Sequence, residues 1–365
     1  MINRDVSNGC FKNFMGDHFD CDGLCHHRAA FRPVLAIPDV SNISESGPAT
    51  SRGQTEQEMQ AGCAGTTITL ADESRLKFPP DGYVRVPFRK GINHVIVSAA
   101  DDSDAAYIFV IDTGASFSIV TPGFVAARGI VGKSLYGEAA AEGAHGAIAG
   151  SPEICTIRGL RIGNLLIERA GAVSVDLDPV SRRLGYEVHG IIGYNILSRM
   201  ITLVDYAAGQ LVFTTYDNTE PFKELGNPKH VIPFRLLLGA MIEVSGQVND
   251  EDQWPFLVDL GAQISMITPE AVRKASLRLN REPLQLPTMG LGANVGSAAF
   301  FRTVVSSLRF GSLTFGETIL YQAALPVFRT FGYEGKPAGI LGNDLIGRYR
   351  VAIDYTRSEL RFWNQ

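Results

Sequence analysis

From residue 86 onward the chain is written twice, and this duplication constrains the fold more than any other feature. Val86-Pro-Phe-Arg89 returns as Ile232-Pro-Phe-Arg235. Asp112-Thr113-Gly114 ends the apolar run Tyr107–Ile111. It returns 147 residues later as Asp259-Leu260-Gly261, after Pro255–Val258. The next segments also match, Gly-Ala-Ser-Phe-Ser-Ile-Val-Thr-Pro against Gly-Ala-Gln-Ile-Ser-Met-Ile-Thr-Pro. Gly190-Ile-Ile-Gly193 and Gly339-Ile-Leu-Gly342 lie 78 and 80 residues beyond their aspartates, each followed by an arginine, Arg199 or Arg348. Leu203-Val-Asp-Tyr206 and Ala352-Ile-Asp-Tyr355 close the two copies. Landmarks in constant order at near-constant spacing mark an internal repeat. They divide the chain into units of about 81–222 and 223–365, each long enough to bury its own core.

Local patterns give each unit its elements. Ile92–Ser98, the turn Asp101–Asp104 and Tyr107–Ile111 read as a hairpin. Ala240–Val244, Asn249–Asp252 and Phe256–Val258 repeat it. Each Asp therefore follows the second strand of a hairpin. The Gly two positions on permits a tight turn or close backbone approach. Short strands follow, Phe117–Val120 and Ile264–Ile267. Thr121-Pro122 and Thr268-Pro269 then read as helix starts, a capping hydroxyl followed by proline at the first helical position. Gly129 ends the first helix. Most of the remainder reads as strands and turns, so the fold class is all-β with one or two short helices per unit.

Composition and charge exclude other classes. A net charge of −5 offers no basic face for nucleic acid. No apolar run approaches the roughly 18 residues of a membrane span. Residues 1–80 have little periodic apolar character and a Ser/Gly/Gln/Glu-rich middle from Ser41 to Gly65. They read as a disordered leader, a pro-segment or an extension upstream of a mis-assigned start. Ala29–Pro38 is broken by Arg32 and Pro33, so no secretory signal is recognisable. The five cysteines number four in the leader, at 10, 21, 25 and 63, and one in the repeats, Cys155. A disulfide framework for the repeats is therefore excluded, and the odd count with no signal favours the cytosol. Cys21, Cys25, His26 and His27, with Cys10 and His18 nearby, invite a metal reading, but the spacing fits no standard zinc pattern.

If the copies pair about a pseudo-two-fold axis, Asp112 and Asp259 meet near it. Two adjacent carboxylates cannot both ionise cheaply, so the pair holds one proton. The ionised member can then deprotonate a water while the protonated member donates to a carbonyl oxygen. No metal or cofactor is required. None of the seven histidines recurs at equivalent places, and no Ser or Cys nucleophile arrangement is present.

These motifs, Ile111-Asp-Thr-Gly-Ala115 with Gly190-Ile-Ile-Gly193 and Val258-Asp-Leu-Gly-Ala262 with Gly339-Ile-Leu-Gly342, resemble the retropepsin/pepsin-like aspartic proteases. The likeness is greatest to bacterial retroviral-type lobes fused in tandem, and it covers about 81–365. It implies a two-lobed all-β fold and a peptide or protein substrate. It also implies a catalytic pair Asp112 and Asp259, loops supported by Thr113, Gly114 and Gly261, and a single-chain monomer. Flap candidates are Gly137–Gly150 and Met289–Ser297, with Tyr136 as a flap tyrosine. Leu260 departs from the family, which carries Thr or Ser there to hydrogen-bond across the interface. The loss is worth about 0.5–1.5 kcal/mol, or about 1–3 if a buried partner is left unsatisfied. Ala115 and Ala262 stand where pepsin-like enzymes often place a Ser on the outer carboxylate oxygen, so a mildly acidic optimum is expected.

Alternatives from other classes follow from the same residues. Leu260 supports a weak or inactive peptide-binding relative of the proteases. Two Asp-x-Gly-x-x-x-Ser loops also resemble phosphate loops of the actin and sugar-kinase superfamily, which require long helices between them. Asp205, Asp354, Arg199 and Arg348 read as structural residues. The Gly-x-x-Gly elements read as core, since no Lys-Ser/Thr follows them.

Overall fold

The computed structural model describes residues 60–63, 66–69, 74–89, 93–134, 142–143, 146–147, 152–287 and 297–365. All of these fall in one unit, Pro38–Gln365. The metal candidates at Cys10 to His27, Tyr136 and most of both flap candidates lie outside the described residues. Within the first flap candidate, Glu142–Gly143 pairs with Gly146–Ala147 as a minimal hairpin. The second is flanked by the pairing of Leu284–Pro287 with the start of Ser297–Val305.

Each repeat builds the same sheet. In the first, Val95–Ala100 and Ala106–Ile111 form the expected hairpin, with Val97 opposite Phe109. Gly190–Ile192 lies parallel to the second of these strands and antiparallel to Ile119–Val120. The latter lies parallel to the end of Leu165–Ser174. In the second repeat, Met241–Val248 pairs with Gln253–Val258, and Gly339–Leu341 lies parallel to it. Gly339–Leu341 is antiparallel to Met266–Ile267, which lies parallel to Thr318–Gln322. The sheets have eight and ten strands. The first closes on itself, because Glu153–Ile162 pairs with both Leu165–Ser174 and Val95–Ala100.

The strands that carry the aspartates lose alternation at their ends. Phe109, Val110 and Ile111 are all buried, as are Phe256, Leu257 and Val258. A central strand covered on both faces has no solvent side to leave polar. The Gly-x-x-Gly elements serve this burial. A Cβ on Gly190 would sit 2.4 Å from the Phe109 ring, and one on Gly339 would sit 2.2 Å from the Phe256 ring. Glycine is required there by close approach, which accounts for the motif without a phosphate.

A six-stranded antiparallel sheet takes three strands from each repeat. At its centre Ile201–Asp205 faces Tyr349–Asp354, with Leu203 opposite Ala352. Asp205 accepts from the Arg350 guanidinium at 2.7 Å, and Asp354 from Arg361 at 2.9 Å. Arg348 donates to Asp344 O and Thr318 Oγ1. These residues are structural, as their sequence setting implies.

Thr121 and Thr268 cap their helices. Their hydroxyls accept from Phe124 N at 3.1 Å and Ala271 N at 3.2 Å. Gly129, at φ +59°, stops the first. The helix count needs correction upward: among the described residues each repeat has three short α-helices. They are Pro122–Ala127, Asp178–Leu184 and Tyr194–Leu197 in one, and Pro269–Lys274, Pro326–Thr330 and Asn343–Ile346 in the other. Helices of four to seven residues present too few turns for an apolar period to register in sequence. Their shortness also removes the actin-like alternative. The leader expected over 1–80 needs correction at its end. Arg75–Lys77 is a strand paired with Leu165–Ser174, and Leu76 packs on the main core. Gln60–Cys63 pairs with Thr66–Thr69 as well. One apolar residue between two charged ones is too short an alternation to read as a strand. Among the described residues no helix is long and apolar enough to cross a membrane.

Candidate active site

The repeated topology brings the two aspartate loops together. Asp112 N donates to Ile192 O at 3.1 Å, and Asp259 N to Leu341 O at 3.0 Å. Each Gly-x-x-Gly strand thus pins the loop beside it. Beneath, Ser118 Oγ accepts from Gly193 N and donates to Asn195 Oδ1. Ser265 Oγ accepts from Gly342 N and donates to Asp344 Oδ1 at 2.6 Å. Burial raises the Asp344 carboxyl above its ordinary range.

Asp112 and Asp259 hydrogen-bond to each other. Asp112 is 7% exposed, and Asp259 is more open. Gly114 N donates to Asp112 Oδ1 and Gly261 N to Asp259 Oδ1, both at 2.7 Å. The glycines also cross the axis. A Cβ on Gly114 would lie 2.6 Å from Asp259 Oδ1, and one on Gly261 would lie 2.6 Å from the Asp112 carboxylate. Each glycine therefore makes room for the other repeat's carboxylate.

Burial, the Asp259 charge and the bond to Asp259 push the Asp112 carboxyl well above its ordinary range. Burial also raises Asp259, against the bond from Asp112 and the backbone N–H groups. The pair therefore retains one proton where isolated carboxyls have lost theirs. That proton belongs to the pair and not to one residue. Such a pair can take a proton from a water while giving one to a carbonyl oxygen.

The second loop position divides the two repeats. Thr113 is fully buried, and its hydroxyl leaves its own repeat. It donates to Val258 O at 2.9 Å and accepts from Leu260 N at 3.0 Å. Leu260 is also fully buried, in the main apolar core, and returns no such bond. Instead Leu260 O accepts from Asn343 Nδ2 at 2.6 Å.

Several residues at the site gave no warning in the sequence. Asn93 O accepts from Asn343 Nδ2 at 2.7 Å. Arg183 Nη2 donates to Gln263 Oε1 at 3.2 Å, across the repeats. His94 is 3% exposed, and both ring nitrogens lack a hydrogen-bond partner among the described residues. Burial, aided by the Arg183 charge and only partly opposed by the Leu260 backbone, lowers its pKa to about 4. Ser118 and Ser265 recur in the repeat and could have been found by aligning the copies. Asn343 could have been flagged because its counterpart, Tyr194, is an aromatic. The Ile92–Ser98 strand begins only at Val95, so Asn93 and His94 lie in a bend against the second repeat's loop.

Comparison with known proteins covers most of this architecture. A sequence profile of the family described as aspartyl protease matches twice, over residues 97–196 and 244–345, one match per repeat. Together the matches span more than half of the chain. A search of curated proteins finds no match.

Proposed function

We propose that this chain, which belongs to the aspartyl protease family, is an endopeptidase in which Asp112 and Asp259 hydrolyse peptide bonds with one shared proton. The observation that carries this reading is the crossed packing of each loop glycine on the opposite carboxylate, together with the hydrogen bond between the carboxylates. The ionised carboxylate removes a proton from a water held between the pair. That water oxygen bonds to the peptide carbon as the protonated carboxyl donates to the carbonyl oxygen. The tetrahedral intermediate then breaks its C–N bond, and the amine leaves with a proton from the pair. Thr113, Gly114 and Gly261 hold the loops. Lobes of about 81–222 and 223–365 supply one carboxylate each, so a single chain carries the whole site.

Activity needs the singly protonated pair, and both carboxyls are displaced upward. A bell-shaped profile with a mildly acidic optimum follows. Asp112→Asn and Asp259→Asn should each lower kcat by at least about 10³-fold on a peptide library. A peak near pH 2, or no cleavage by the unaltered protein from pH 3 to 8, would contradict the reading. The fold should survive. A carboxyl whose folded pKa lies above its unfolded value contributes stability below the unfolded pKa and loses it as pH rises through the folded one. At neutral pH Asp112→Asn relieves that loss, so its Tm should equal or exceed the parent's.

Leu260 favours a second reading, a protease-shaped peptide binder. It would be supported by peptide binding that Asp112→Asn leaves intact, with no cleavage by either protein.

A further inference from the structure

We infer that Asn343 is the positioning residue that replaces the missing cross-lobe hydroxyl at Leu260, bracing the Asp259 loop against the first repeat. The inference rests on the protease reading for its kinetic consequence, but not for its structural one.

The residue after each Gly-x-x-Gly element occupies the same place in both repeats, and the tyrosine of each terminal Asp-Tyr reaches it from the other repeat. Tyr355 packs edge-on against Tyr194, with centroids 5.2 Å apart. Tyr206 OH donates to Asn343 Oδ1 at 2.6 Å. The crossing is symmetric and the chemistry is not. On one side two rings meet, and the Tyr355 hydroxyl is buried without a partner among the described residues. On the other an amide replaces the ring and accepts the tyrosine hydroxyl.

The amide's orientation is fixed by its neighbours. Asn93 O and Leu260 O, at 2.7 and 2.6 Å, can only accept. The NH₂ group must face them, leaving Oδ1 for Tyr206. Burial holds the Tyr206 phenol far above its ordinary pKa, so it remains a donor at every working pH. Asn343 is 3% exposed, and its backbone N–H also donates to Ala262 O at 2.9 Å. One residue thus fixes both sides of Gly261 and links that loop to Asn93 of the first repeat. A Thr at 260 would have tied the loop to the first repeat by a hydroxyl. Here the tie is an amide from below, and Leu260 is free to fill the core.

The test uses the full chain with Asn343→Ala, Asn343→Asp and Tyr206→Phe. Hydrogen exchange of the 260–263 segment should quicken at least about tenfold in Asn343→Ala, with little change in the Asp112 loop. Tyr206→Phe should show a smaller effect in the same direction. Kinetically, Asn343→Ala should lower kcat about tenfold or more and leave KM within about threefold, as expected for a displaced catalytic group. Asn343→Asp places a carboxylate against two carbonyls and can donate only when protonated. Its pH profile should therefore retain activity on the acid side and lose it on the neutral side, relative to the parent. A lowered Tm with unchanged exchange at 260–263 and an unchanged pH profile would overturn the inference, leaving Asn343 a packing residue. If Asn343→Ala fails to fold, Tyr206→Phe and Asn343→Asp at acid pH decide it. If the parent cleaves no peptide, the protease reading fails, and the exchange results still decide the brace.

Discussion

In the Asp112 loop the residue after the carboxylate is a threonine whose hydroxyl serves the other repeat. In the Asp259 loop it is a leucine that stays in its own core. The first residue after each carboxylate differs, while the second, a glycine, is under the same crossed constraint in both. Duplication preserved what two-fold packing requires at the axis, and let diverge what could be supplied from elsewhere. A Cβ at Gly114 or Gly261 has no substitute site to move to. A lost hydroxyl at 260 does, because a neighbouring amide can tie the same loop to the first repeat at Asn93.

The first way to break this comparison is to put a Cβ on each glycine. Gly114→Ala and Gly261→Ala would each drive an opposite carboxylate from its place, since 2.6 Å is far inside contact distance. A displacement of about 1 Å at a reacting group costs about 10²-fold. Both variants should lose about that much kcat, by similar amounts, with small changes in Tm because the displaced atoms are side-chain ends. Unequal losses, one severe and one negligible, would show that the glycines do not play matching parts.

The second position should behave in the opposite way, with unequal responses to near-isosteric changes. Thr113→Val keeps the volume but strands Val258 O and Leu260 N in the interior. Each unsatisfied group costs about 1–3 kcal/mol, so a loss of about 2–6 kcal/mol is expected in denaturant unfolding. Leu260→Met conserves volume in an apolar site and should cost less than about 1.5 kcal/mol. Equal costs, or a larger one for Leu260→Met, would mean that the hydroxyl is not the main brace.

These differences show which parts of the molecule were legible in sequence. The duplication, the paired hairpins, the Thr-Pro helix starts and both carboxylates are written as local patterns that repeat. Their meaning survives because the same spacing produces the same topology twice. The six-stranded sheet was visible only as the recurring Pro-Phe-Arg and Asp-Tyr segments, since strand pairing across repeats has no local signature. Asn343 has no local signature, because its three side-chain partners lie 83, 137 and 250 residues away. The Ile92–Ser98 pattern places His94 in a strand. Only the packing of the second repeat's loop over Asn93 makes it a buried, uncharged group.

His94 gives the predicted effect with a defined pH window. Its ordinary pKa of 6.5 falls to about 4 in the folded protein, chiefly by burial and next by the Arg183 charge. Below the unfolded pKa the unfolded chain binds a proton that the folded one refuses. Stability therefore falls as pH drops from 6.5 toward 4, and this group's contribution levels off below that. At 1.36 kcal/mol per pKa unit the whole loss is about 3 kcal/mol. The aspartate pair acts in the reverse sense, favouring the fold at acid pH. Across this window the two effects oppose each other, and two variants separate them. His94→Leu should flatten the decline between pH 6.5 and 4 in denaturant unfolding, while Asp112→Asn should steepen it. An identical slope in His94→Leu and the parent would mean that the ring takes up its proton without penalty. In that case the bend beside the Leu260 loop is more open to water than its 3% exposure implies.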